Sequence, residues 1–451
     1  MFEMKHTHGR YALRLPSVKV YNLVLFALAI VLFSRILEAA GAPSLINFVH
    51  FALVPITLGL ASFVIGPELR AILIGLGAVL AVILLSALIN GAGAVNVVLE
   101  FLLLAEPFML LGAMVSVPWS SSSIRRFRYW LLAFTAANIL FIYFQWFVQG
   151  LTDDGVQGIF VDMGGGAHAA SAIALVAAVY FFARLGIRSL ILRVALALVC
   201  GATIVFTDSK QLLIVFTLSV FALALTKWRQ LGYILRYLAL LGLLLAITVW
   251  MAATFFPAIA TWADSTKFIV GFEQKLTVFP LIASFYDSLL NLLFGLGPGH
   301  TVGRLGYILP DYYQYLGPLG ATTSPVTEAV WQANQAHWIS NSVTGSSMWS
   351  LLFSWAGIWG DLGLVGLGVY LGFWWWVWRR ICLTDVSRFF LISILVLGAI
   401  FAWLEEPPFM LFIAALIGLE WQEHQSRSGT PDGGSLAQRT EVKTPAVQPL
   451  R

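Results

Sequence analysis

Lys210 stands in the stretch TDSKQLLIVF, where five polar residues lead straight into an apolar run. A lysine at the start of a helix opposes the helix dipole, so an anionic partner is expected for its ammonium, with Ser209 or Asp208 placed to cap the helix. Further cations, Lys267, Lys275 and Arg304, lie in the long interval 257–350, and Arg35 lies near the end of the first apolar run. The interval also holds two histidines, His300 and His337. His337, flanked by Trp338 and polar groups, is the candidate general base. His300 follows the turn GLGPG and is placed to cap it; Asp311 and Glu328 are carboxylate candidates. Tyr312, in YILPDYYQYLGPLG, and Trp338 offer aromatic faces, which serve either as interfacial anchors or as platforms for sugar rings. The glycines of FGLGPGH permit close backbone approach. Without the lysine and Ser/Thr of a P-loop, and with no strand before them, they make no nucleotide cradle.

The elements that must position these residues are membrane helices. The chain has 451 residues, 59% of them hydrophobic and 11% charged, a balance outside that of soluble domains. Its two cysteines, Cys200 and Cys382, fit neither a disulfide framework nor a metal-ligand spacing. An all-α polytopic membrane protein is expected. Apolar runs long enough to cross ~30 Å of hydrocarbon fall at roughly 20–40, 45–65, 70–91, 94–117, 127–149, 167–185, 188–206, 209–226, 232–256, 351–377, 387–404 and 408–422. That is about twelve spans, the last short enough to be re-entrant. The first is read as a span and not as a cleaved signal, because no small-residue cleavage site closes it.

Lysine and arginine alternate between connections. They mark the tail 1–19, Arg70, the cluster Arg125, Arg126 and Arg128, then Arg184, Lys227, Arg379, Arg380 and Arg388, while GAPS, NGAGA, LTDDGVQGIFVDMGGGA and EEPP carry none. The positive-inside rule then puts both termini in the cytoplasm and the interval 257–350 on the opposite face. The expected organisation is a tail (1–19), nine spans (20–256), one large outer loop (257–350), three spans (351–422) and a disordered tail (423–451). Within the loop, KFIVGFEQKLTVFPLIASFYDSLLNLLFG reads as amphipathic helix kinked at Pro280, lying on the membrane or packed among the spans.

TDSKQLLIVF, then KLTVFPLIASFYDSLLNLLFGLGPG, then SSMWSLLFSWAGIWGDLGLVGLGVYLG occur in an order that resembles the O-antigen ligase and polymerase superfamily over about the second half of the chain. The resemblance implies a glycosyltransferase of the bacterial inner membrane that uses an undecaprenyl-diphosphate-linked glycan as donor and acceptor, needs no cofactor or metal, and works among membrane lipids, with a chain-length regulator as a possible partner and no nucleic acid. It implies that Ser209, Lys210 and Lys275 stand where the family carries Ser-Arg and a second arginine, so that both lysines grip the diphosphate. Arg304 would join them or bind an anionic sugar, and His337 would act on the acceptor. Ligases of the family carry His-Asn at the head of the span after the loop; here Ser346, Ser347 and Ser350 surround Met348 and Trp349, which favours a polymerase over a ligase. A lipid-linked sugar transporter is the alternative from another class, with Glu100 and Glu106 as its buried acids.

Overall fold

A computed structural model describes residues 16–63, 65–184, 190–227, 229–254, 265–340 and 347–428, and every regular element among them is helical. α1 (Pro16–Ala39) and α3 (Pro67–Asn90) both begin on proline, whose missing N–H costs nothing in a first turn. Between them α2 (His50–Ala61) follows a short 3₁₀ turn. α3 stops at Gly91, where φ of 64° makes a left-handed cap. α4 (Ala94–Ser116) returns beside it, and α5 (Ser121–Phe147) starts where the Ser120 hydroxyl accepts from Ser123 N. α6 (Gly166–Arg184), α7 (Leu190–Phe206), α8 (Gln211–Leu225) and α9 (Leu231–Thr254) follow.

The long interval folds into α10 (Ser265–Leu276), α11 (Val278–Ala283), α12 (Leu289–Phe294), α13 (Arg304–Leu316) and α14 (Pro325–Ser340). The predicted kink is a break at Thr277, between α10 and α11, with Pro280 in the first turn of the second piece. Phe268, Ile269, Phe272 and Leu276 of α10 are each at least 40% exposed, and Phe268 meets Trp349 edge-on at 5.2 Å. α15 (Ser354–Arg380), α16 (Asp385–Leu397) and α17 (Pro407–Ser428) end the described chain.

Seven helical segments among the described residues are long and apolar enough to cross a membrane: α1, the segment Ser44–Ala61 that contains α2, α3 to α6, and the segment Ser347–Arg380 that contains α15. About twelve spans were expected, and two of them are short in the structure. α8 has 15 residues and α16 has 13, so at 1.5 Å per residue they reach about 22 and 20 Å, short of the ~30 Å core. The run 387–404 is not one helix: α16 stops at Leu397, and the chain turns back through 398–406. Those residues are apolar because they are buried against protein.

α17 is the centre of the bundle. Residues 401–423 are all buried, and α17 packs chiefly on α4, with α5, α6 and α16 around it. Gly418 lets the Met114 side chain approach, and Gln422 Nε2 donates to the carbonyls of Met114 and Val117 at 2.5 and 2.8 Å. Basic connections gather at one end of this core, where Arg128 meets Glu423 at 2.5 Å, Arg184 pairs with Glu420, and Lys227 meets Asp385 at 2.9 Å. The arginine-free connections and the long interval form the other end.

Candidate functional site

A cleft of about 310 Å³ opens at that second end, near the small limit of ~300–1,000 Å³ for small-molecule sites. Its walls are Asp154, His168, Arg304, Tyr307, Ser347, Trp403 and Glu406, with the Gly164–Gly166 turn. His168 and Arg304 are each positioned by a distinct device.

The connection from α5 to α6 is held by amides inside the bundle. Gln145 both donates to Gly158 O at 3.0 Å and accepts from Gly158 N at 2.7 Å, while Asn138 accepts from Ile159 N at 3.3 Å and donates to Ala170 O at 2.8 Å. Gly158 has φ of 57°, and a Cβ there would lie 2.4 Å from Asn138 Oδ1. This fixed loop delivers His168 in the first turn of α6. Its Nδ1 lies 2.8 Å from Ser209 Oγ, and its Nε2 faces Ser347 Oγ at 3.5 Å and Asp154 Oδ1 at 4.0 Å. The ring lies 5.4 Å from Phe401, which stacks on Trp403 at 5.1 Å, so imidazole and two aromatic rings continue one wall.

Arg304 opens α13. Glu405 Oε2 accepts from its main-chain N at 2.5 Å, doing the work of a helix cap, and the guanidinium pairs with Glu406, with Tyr307 Oη 3.4 Å away. Burial pushes the Glu405 carboxyl up to about 8; the Asp361 carboxylate adds to that rise, and the Arg304 N–H and charge oppose it.

The glycine stretch that precedes Arg304 is not exposed loop, and residues 295–303 are buried. They lie against α15 and the facing ends of α3 and α4. Leu296 N donates to Gly360 O, Gly299 N and Thr301 Oγ1 donate to the Asp361 carboxylate at 3.2 and 2.7 Å, and Asn96 Nδ2 donates to Pro298 O at 2.9 Å. Asp361 thus serves as an internal cap for this backbone. His300 closes the turn through Leu296 O at 3.0 Å and Thr322 Oγ1 at 2.9 Å, and burial lowers its pKa.

The sequence-predicted residues are scattered by comparison. Arg304 lines the cleft, and Ser209 supports it through His168. Lys210 stands beside it, its ammonium 2.5 Å from Asp208 Oδ2 and within electrostatic reach of His168. Neither Ser209 nor Asp208 caps α8; Lys210 occupies the N-cap with helical angles and no side-chain cap, and the Ser209 hydroxyl is spent on its own turn and His168.

Lys275 does not reach the cleft. It is 7% exposed, donates to the carbonyls of Met348, Ser350 and Ile400 at 2.9–3.1 Å and stands 4.5 Å over the Phe353 ring. Burial pushes its pKa down to about 7. Such a fall is worth about 5 kcal/mol, and three charge-assisted hydrogen bonds at ~1.5–3 kcal/mol each favour the ammonium by a comparable amount. Lys275 is a charged strut that ties α10 to the segment before α15 and to the 398–406 turn. Arg35 pairs with Glu38 at 3.1 Å, away from the cleft. Tyr312 is exposed and meets Phe48 edge-on at 5.9 Å. The side chains of His337 and Trp338 lie outside the described residues. Asp311 is exposed, and Glu328 accepts from Gln332 at 2.6 Å.

The residues that sequence reasoning passed over are His168, Asp154, Trp403, Glu405 and Glu406. Two signals mark them: a histidine just after three consecutive glycines at the mouth of a span, and the acidic pair of EEPP in a connection without arginine. No protein-family model and no curated protein matches the chain.

Proposed function

We propose that this chain is a membrane glycosyltransferase that polymerises oligosaccharide repeats carried on a polyprenyl diphosphate, and that it belongs to the O-antigen ligase and polymerase superfamily. The observation that carries the reading is the convergence, in one cleft at the end opposite the arginine-rich connections, of a guanidinium, an imidazole and an aromatic wall. Glycosyl transfer from a diphosphate needs positive charge on the leaving group, a base at the acceptor hydroxyl and a surface for sugar rings. Arg304, with 15% of its side chain exposed, is the cation the cleft offers, and Lys210 stands beside it. Both face carboxylates, Glu406 and Asp208, so an incoming diphosphate competes with these for its cations. Phe401 and Trp403 supply the wall. The bacterial inner membrane, with the cleft outside and both termini in the cytoplasm, is the location this reading requires.

The test is elongation by purified protein in detergent, with a polyprenyl-diphosphate oligosaccharide as both donor and acceptor and product length read on a gel. Arg304→Ala is expected to slow elongation by about 10²-fold or more, the scale of losing one preorganised charge stabiliser. A folded wild-type protein that binds the donor and never lengthens it sinks the proposal. Transfer to a lipid or protein acceptor supplied in the same assay identifies a ligase.

A carrier of lipid-linked sugars is the second reading, favoured by one feature. α15 is broken at Gly363, where φ is 68°, beside the buried Asp361, and Glu100 of α4 is buried within electrostatic reach of Asp361 and Glu405. Interrupted helices with interior acids are the usual equipment of transporters. Movement of a labelled lipid-linked sugar across sealed vesicles, without change in glycan length, decides for the carrier.

A further inference from the structure

The hydrogen bonds behind His168 are most numerous when they run in one direction, and that direction selects which ring nitrogen carries the proton. Thr207 Oγ1 lies 2.8 Å from Thr203 O, and a carbonyl has no proton to give, so the Thr207 hydroxyl donates there. Ser209 Oγ lies 2.8 Å from Thr207 Oγ1 and 3.3 Å from Thr207 O. With the Thr207 proton committed, the single proton of Ser209 goes to one of these two oxygens. Ser209 Oγ is then left as an acceptor toward His168 Nδ1, 2.8 Å away. The reverse order, with Thr207 donating to Ser209 and Ser209 to the ring, makes one hydrogen bond fewer, because the Thr203 carbonyl then keeps only the helical N–H of Thr207 and loses its hydroxyl. Thr203, Thr207 and Ser209 are all fully buried, so no solvent repays that loss. Imidazole therefore carries hydrogen on Nδ1 and presents the Nε2 lone pair to the cleft, beside Ser347 Oγ and Asp154 Oδ1.

We propose that His168 is the proton acceptor of the cleft, with Ser209 and Thr207 as positioning residues that hold it in the Nδ1–H form. The assignment rests on the glycosyl-transfer reading above and names the base for it. Nε2 takes the proton of the acceptor sugar's hydroxyl as that oxygen bonds to the donor's anomeric carbon. The bond from that carbon to the diphosphate oxygen breaks, and its electron pair leaves with the diphosphate. Asp154, 86% exposed at its side chain and 4.0 Å from Nε2, stabilises the imidazolium until the proton passes to water or to the departing diphosphate. This gives the Ser209-Lys210 pair two separate duties: the hydroxyl orients the base behind the cleft, and the ammonium stands beside it.

The experiment combines a ring-nitrogen measurement with turnover. Protein labelled with ¹⁵N-histidine is compared with His168→Gln to assign the residue's signals, and couplings to the ring protons identify the protonated nitrogen. Hydrogen on Nδ1 is expected in the wild type and a mixture of tautomers in Ser209→Ala. In the elongation assay His168→Gln is expected to lose about 10²-fold or more in kcat, and Ser209→Ala about tenfold in kcat with KM unchanged. Hydrogen on Nε2 in the wild type overturns the proposal, and so does full turnover by a folded His168→Gln. Failure of the glycosyl-transfer reading looks different: wild-type protein shows the Nδ1–H form and elongates nothing, which removes the reaction that His168 is assigned to serve.

Discussion

Lys275 and Glu405 show how one buried charge is disposed of by two routes. The lysine keeps its charge because three carbonyls and an aromatic face surround it. Removing it strands those carbonyls in a dry site, so Lys275→Ala is expected to cost about 3–5 kcal/mol, read as a fall in unfolding temperature in detergent. Were Lys275 a grip on the donor, the same substitution would spare stability and reduce only donor affinity. Glu405 takes the other route, and its neutral form is the one burial favours. Its pKa rises from an ordinary 4.5 to about 8, so the stabilising contribution is fully present below about 4.5 and is lost as pH climbs through 8. Unfolding temperature is expected to fall between about pH 4.5 and 8 in the wild type and to flatten in Glu405→Gln; parallel slopes would show that another group titrates.

At the scale of elements, the glycines of α15 explain why the loop before Arg304 can sit inside the bundle. Gly357, Gly360 and Gly363 recur every three residues and leave a bare face. On that face a Cβ at 357 would meet the Gly303 backbone at 2.6 Å, one at 360 would meet Thr301 at 2.5 Å, and one at 363 would meet Leu293 at 2.4 Å. At 357 and 363 the atoms met are backbone, which cannot swing aside as the Thr301 side chain at 360 can. Gly363→Ala adds a left-handed φ to the clash and is expected to destabilise by more than about 2 kcal/mol. Gly368→Ala and Gly372→Ala, with nothing within 4 Å, are expected to be neutral or to gain up to ~1 kcal/mol of helix propensity. Equal loss at all three positions would mean that helix flexibility, not close approach, is what the glycines supply. The three-residue spacing was legible in SWAGIWGDLG, but its partner lies some sixty residues away and no periodicity names it. For the same reason hydropathy marked the apolar helices yet fused α16 with the turn after it. Trp355 N donates to Gly398 O and Ser354 Oγ accepts from Leu404 N, contacts that bury the turn without lengthening the helix. The histidine of the cleft escaped notice because it opens a span, while the outer loop drew attention to its own two.

Across the whole molecule, charge is sorted to opposite ends of α17, a helix of 22 residues and so about 33 Å long. One end holds Glu420 and Glu423, clamped by Arg184 and Arg128, and the other starts at Pro407, directly after the acidic pair that holds Arg304. From this sorting the positive-inside rule predicts an orientation, with the arginine end in the cytoplasm and the cleft outside. Site-directed labelling can read that orientation, because both native cysteines, Cys200 and Cys382, are buried and give little background. A cysteine at Asp154, beside the cleft, is expected to react with a membrane-impermeant maleimide on intact spheroplasts. One at Arg427, 63% exposed at the far end, is expected to react only after the membrane is opened. The reverse pattern would turn the cleft toward the cytoplasm, where soluble nucleotide sugars are the natural donors. A diphosphate-linked glycan presented on the outer leaflet could then never reach Arg304, and the polymerase reading would fall on topology alone, whatever the chemistry of the cleft.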